Sequence, residues 1–199
     1  MVSTIAPSLR RRALLIGLGV LASAGTARAQ SIGDIRSAPH SLEAMALRIE
    51  RAFPRVRHAP PSDVAQVLAS ASAFVVFDVR ERGEFDVSHV PGAEPLSPHA
   101  SRSQALAQIG ARARDRVVIF YCSVGQRSSR MADQTGPALR GRGARDIYNL
   151  RGGVFAWHDE ARPLVDGFGP TSYVHPYSAA WGRLLARPDL ARTQPRSRP

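Results

Sequence analysis

RVVIFYCSVGQRSSR, residues 116–130, decides how the chain is read. RVVIFYC (116–122) is a continuous apolar run rich in β-branched and aromatic side chains. Such a run predicts a strand buried on both faces, as in a parallel sheet covered by helices. It ends in Cys122, the only cysteine of the chain. Small and polar residues follow, then Arg127, then SSRMADQ (128–134), which predicts a helix. The order is strand, cysteine, tight loop, arginine, helix. The thiol is either a nucleophile held by that loop or a buried thiol at a strand end.

Working outward, AFVVFDVR (73–80) is the same kind of run, and DIYNL (146–150) is a shorter one. Helical stretches lie between, including SQALAQIGARA (103–113). The alternation predicts an α/β domain with right-handed crossovers. Chemistry in such sheets sits at the carboxyl ends of the strands. Asp78 and Arg80 therefore share a crevice with Cys122. Toward the N-terminus, LEAMALRIERAF predicts a helix capped by Ser41 and ended by Pro54. Residues 55–58 alternate like an edge strand, and Pro60-Pro61-Ser62-Asp63 opens another helix. GGVFAWHDE (152–160) reads as a glycine-led helix packing Phe155 and Trp157. Beyond it, Tyr177, Trp181, Leu184 and Leu185 trace an apolar face. That face either docks on the domain or meets a partner or membrane. Residues 187–199 have the composition of a disordered tail.

The 199 residues suit one domain with extensions, and 44% hydrophobic content allows a core. All 27 basic residues are Arg, set against 16 acidic ones. The positive charge is dispersed and no nucleic-acid module is visible, so no nucleic-acid partner is expected. Residues 1–29 have the form of a signal peptide. Arg10, Arg11 and Arg12 precede the apolar run ALLIGLGVLASA (13–24), and Ala27-Arg28-Ala29 offers a cleavage site after Ala29. The expected location is periplasmic or secreted, by the general or the twin-arginine route, with membrane contact only through that segment. A single cysteine in an oxidising compartment cannot pair within the chain. The histidines show no metal-ligand spacing, and neither a metal nor another cofactor is expected.

A thiolate after Tyr121 would need its charge compensated. Backbone N–H groups of Ser123, Val124, Gly125 and Gln126, the charge of Arg127 and a helix N-terminus can supply this. Gly125 permits close approach or a positive φ. Ser128 is expected to cap the helix and offer its hydroxyl. These residues, with FDVRERGEFDVSHVPGA (77–93), FYCSVGQRSSRMA (120–132) and IYNLRGGVFAW (147–157), resemble the rhodanese domain family.

The resemblance covers residues 54–166. It leaves residues 30–53 as a helical N-terminal extension and 167–199 as a C-terminal one. It implies an open parallel sheet of about five strands with helices on both faces. It also implies a sulfurtransferase: Cys122 takes sulfur from an anionic donor such as thiosulfate, and a thiol, cyanide or a periplasmic thiol protein accepts it. The loop 123–127 would cradle the persulfide. Asp78, Arg80 and His89 are expected to give structural support, and Glu84 to cap or pair locally. The alternatives are a non-catalytic module for partner binding or redox sensing, and a phosphatase-like relative. The latter use a loop one residue longer than Cys122 to Arg127. Two departures stand out. Ser123 replaces an Arg found in many members, which leaves the loop one cation short. Gly136-Pro137 is expected to break the following helix.

Overall fold

In the computed structural model, residues 41–70 and 73–197 are described. The leader reading and residues 30–40 fall outside them. Helix α1 (Leu42–Ala52) starts where Ser41 Oγ accepts from Ala44 N–H at 3.2 Å. It buries Met45, Ala46 and Ile49. Strand β1 (Arg57–Ala59) and helix α2 (Pro61–Ala69, with Pro at its first turn) follow. Next come β2 (Phe74–Asp78), α3 (Arg82–Val87), β3 (Ala93–Pro95), α4 (Arg102–Ile109) and β4 (Val117–Tyr121). Helix α5 (Gln126–Gly141), β5 (Asp146–Leu150) and α6 (Gly153–Asp159) complete the central layer and its cover.

The sheet is parallel throughout, in the order β1-β5-β4-β2-β3. Its alternation divides the core in two. Val76, Ile119 and Tyr121 face the side covered by α1, α2 and α6. Val75, Phe77, Val118 and Phe120 face α4 and α5. Helices therefore lie on both faces of five strands, as the alternation of elements and the family resemblance led us to expect. Asp78 stands opposite Tyr121 in the β2–β4 register, which brings the two strand ends together.

Two expectations are corrected along α5. The helix runs unbroken through Pro137. One lost N–H is outweighed by burial: Met131, Ala132 and Leu139 pack into the core on one face of α5, and Arg102 Nε donates to Gln134 O at 2.9 Å just before the proline. Ser128 is not the cap. Gly125, at φ +100°, takes that position, and Ser128 lies inside the first turn.

The C-terminal segment is also more structured than its composition suggests. Strands β6 (Leu164–Asp166) and β7 (Gly169–Thr171) form an antiparallel pair. A short helix, α7 (Ala179–Gly182), leads to Leu184 and Leu185, both buried in the core with Val174. Val174 bridges to Ala191, and Arg196 pairs with Asp166 at 2.5 Å. Disorder thus does not extend over 187–197. Small apolar contacts and one ion pair hold a stretch whose polar composition hides them.

Candidate active site

Cys122 follows directly after β4 and is 1% exposed. Gly125 N–H donates to its Sγ at 3.2 Å. The positive φ of Gly125 turns that N–H inward, and a Cβ there would come within 3.1 Å of Asn149 Nδ2. Burial pushes the thiol pKa up. The Arg127 charge, the Ser128 hydroxyl and the N–H groups of Ser128 and Gly125 more than offset this, so the pKa lies below its ordinary value. The Ser128 hydroxyl is buried and has no hydrogen-bond partner of full geometry among the described residues. It is free to serve the sulfur.

The loop's outward face is fixed by α6. Val154 N–H donates to Cys122 O at 2.8 Å, and Phe155 N–H to Ser123 O at 3.1 Å. With these carbonyls turned to α6, neighbouring N–H groups are left for the sulfur. Gly153 makes that approach possible. A Cβ at this position would lie 2.3 Å from Cys122 O, and its φ is +60°.

Arg127 is held by Glu84. Nη1 donates to Glu84 Oε2 at 2.7 Å, and Nη2 to Oε1 at 2.9 Å. Ser123 completes the cluster: its hydroxyl donates to Glu84 Oε1 at 2.8 Å and accepts from Arg127 Nη2 at 2.9 Å. Burial pushes the Glu84 carboxyl up, but Arg127, Arg80 and Glu81 N–H bring it down to about 2. Position 123 is thus a hydrogen-bonding link that ties Arg127 to Glu84.

Beneath the loop lies a buried polar network. Arg80 donates to Asp78 through Nε at 2.9 Å and Nη2 at 2.6 Å, and Nη2 also donates to Ser88 O at 2.6 Å. Tyr121 donates its hydroxyl proton to Asp78 Oδ2 at 2.7 Å and accepts from Val90 N–H at 3.1 Å. These bonds tie the ends of β2 and β4 to the turn at 88–90. His89 stacks on Phe85, with Nδ1 3.0 Å from Phe85 O, and its backbone bridges to Val165.

Above the sulfur is a pocket of about 520 Å³ lined by Cys122, Ser123, Val124, Gln126 and Arg127, with Arg130 beside them. Pro98, His99, Tyr177 and Trp181 complete its lining. Gly125 and Ser128 act on the sulfur from behind, while Asp78, Arg80 and His89 are absent from the pocket wall. Sequence reasoning missed the clamp by Glu84, the close approach at Gly153 and the aromatic wall from the C-terminal segment. The double glycine in NLRGG was the available signal for the second of these. Among the described residues, no group of His, Cys, Asp and Glu is arranged to hold a metal.

A parallel sheet with a buried cysteine in a tight loop at its carboxyl edge defines a class of α/β domains. Residues 61–160 match the rhodanese-like domain family, and the chain belongs to it. It is 30% identical over 102 residues to a sulfurtransferase of Allochromatium vinosum, covering 51% of this chain and 88% of that one. It is 29% identical over 104 residues to the probable adenylyltransferase/sulfurtransferase MoeZ of Mycobacterium tuberculosis. That match covers 52% of this chain and only 25% of MoeZ. Among solved structures, the thiosulfate sulfurtransferase of Pseudomonas aeruginosa aligns with a TM-score of 0.49 at 21% identity. The alignment spans 63% of this chain and 23% of that one.

Proposed function

We propose that the protein is a sulfurtransferase acting through a persulfide on Cys122, in the periplasm or outside the cell. The observation that carries this is the thiol itself. It lines an open pocket, accepts from Gly125 N–H at 3.2 Å, and lies beside Arg127, which Glu84 fixes. The sulfurtransferases among its relatives support the same chemistry.

The Cys122 thiolate attacks the outer sulfur of an anionic donor. For thiosulfate, the S–S bond breaks and sulfite leaves with the electron pair. Arg127 and the loop N–H groups stabilise the anionic persulfide, as preorganised donors do for developing charge. An acceptor nucleophile then attacks the outer sulfur, and Cys122 departs as a thiolate. The covalent intermediate makes the kinetics ping-pong. With the thiol itself buried, the outer sulfur of the persulfide is the atom presented to the pocket.

The test is thiocyanate formation from thiosulfate and cyanide, run beside Cys122→Ser. Turnover by the Cys122 chain alone supports the proposal. Equal background rates for both chains, with thiosulfate and with organic persulfide donors, would refute it. The pH profile of Cys122 alkylation adds a second check. The thiolate fraction should rise with a midpoint below the free-thiol value of about 8.5.

A further inference from the structure

We propose that Tyr177 and Trp181 build an acceptor subsite for an organic thiol carrying a carboxylate, of the kind a short cysteine peptide presents. This rests on the sulfur-transfer reading and specifies which acceptor the site favours. Size is the first argument. Cyanide and thiosulfate are a handful of atoms, and a pocket of about 520 Å³ would leave most of its space to water. Its volume falls within the roughly 300–1,000 Å³ range of sites that enclose small organic molecules.

The walls supply the second argument. Arg127 is held in place by Glu84 and Ser123 beside the sulfur, and Tyr177 covers it at 4.9 Å from the ring centroid. Arg130 lines the same pocket from one turn further along α5 and makes no hydrogen bond or ion pair among the described residues. Residues at this spacing lie about 5–6 Å apart on a helix surface. A ligand with its sulfur beside Arg127 and its carboxylate on Arg130 spans that spacing, which is more than an inorganic sulfur anion covers. Tyr177 and Trp181, packed edge to face at 6.3 Å, offer its body an apolar wall.

The third argument is conformational. Tyr177 has φ +64°, a region that is uncommon and costly for a bulky residue. Its N–H donates to His175 Nδ1 at 3.0 Å, yet its side chain remains half exposed at the pocket mouth. Leu184 and Leu185, buried just beyond α7, hold this segment on the domain. A half-exposed aromatic ring on a left-handed backbone is thus held at the pocket.

In the transfer, the acceptor thiolate attacks the outer sulfur of the Cys122 persulfide. The bond between that sulfur and Sγ breaks, its electron pair returns to Sγ, and the acceptor leaves as a persulfide. No external oxidant or reductant is consumed.

Two measurements test the proposal, with glutathione as the probe thiol. In the first, the Cys122→Ser full chain is titrated calorimetrically with S-methylglutathione, which cannot accept sulfur. Saturable binding is expected, weakened about tenfold or more by Tyr177→Ala, Trp181→Ala or Arg130→Ala. In the second, kcat/KM for glutathione is divided by kcat/KM for cyanide, both with thiosulfate as donor. The ratio should fall about tenfold or more in those three variants. Absence of binding, or a parallel fall for both acceptors, would overturn the subsite while leaving sulfur transfer intact. Binding without any sulfur transfer by the Cys122 chain would overturn the acceptor role through failure of the transfer itself.

Discussion

At the scale of single residues, the site depends on keeping the buried Glu84 matched to the partly buried Arg127. Glu84 has its pKa lowered from 4.5 to about 2, so its stabilising contribution is fully present above about pH 4.5. It is lost as pH falls toward 2, and amounts to something on the order of 3 kcal/mol. Acid unfolding of Glu84→Gln should therefore show a flatter stability slope between those pH values. An unchanged slope would mean that the Glu84–Arg127 pair contributes no net linkage. Gly153→Ala places a Cβ against the carbonyls of Cys122 and Ser123. It should cost more than about 2 kcal/mol in denaturant unfolding. Much of this site was legible beforehand, because Cys122, Gly125 and Arg127 are neighbours in the chain and their chemistry is local. The local cap by Glu84, which accepts from Glu81 N–H at 3.1 Å, was also expected, but its clamp on Arg127 and the close approach at Gly153 were not. Both arise from contacts across the fold, 43 residues away between Glu84 and Arg127.

At the scale of elements, the strands were the most readable part. DIYNL coincides with β5, and the apolar runs ending near Asp78 and Cys122 contain β2 and β4. Continuous apolar runs report burial on both faces directly. Helix α5 shows the opposite case. Local propensity says that Pro137 ends the helix, and packing against the sheet and α4 keeps it whole. The retained proline should then be a local penalty. Pro137→Ala restores an N–H within α5 and should stabilise the protein by about 2 kcal/mol, read as a rise in unfolding midpoint. A loss of stability would show that the ring's own packing outweighs the missing bond.

At the scale of the whole molecule, the rhodanese-like match ends at residue 160, but the core does not. Val174, Leu184 and Leu185 belong to the same buried cluster as Met45 and Ile49 of α1, which precedes the match. Both flanking segments therefore close one face of the sheet, and the second also walls the pocket. The α1 helix and the apolar face of Leu184 and Leu185 were readable as such, but where they pack was not, because those contacts are long-range. Leu184→Ala should cost about 2–3 kcal/mol, a value that fits a core position and not a loose tail. A change below about 0.5 kcal/mol would show that the segment does not dock. The central claim, that this architecture exists to carry sulfur on Cys122, has one most direct test: the intact mass of the protein after incubation with thiosulfate. Our account predicts a gain of one sulfur atom, located on Cys122, removed by cyanide and absent from Cys122→Ser. An unchanged mass, with thiosulfate and with organic persulfide donors, would contradict it.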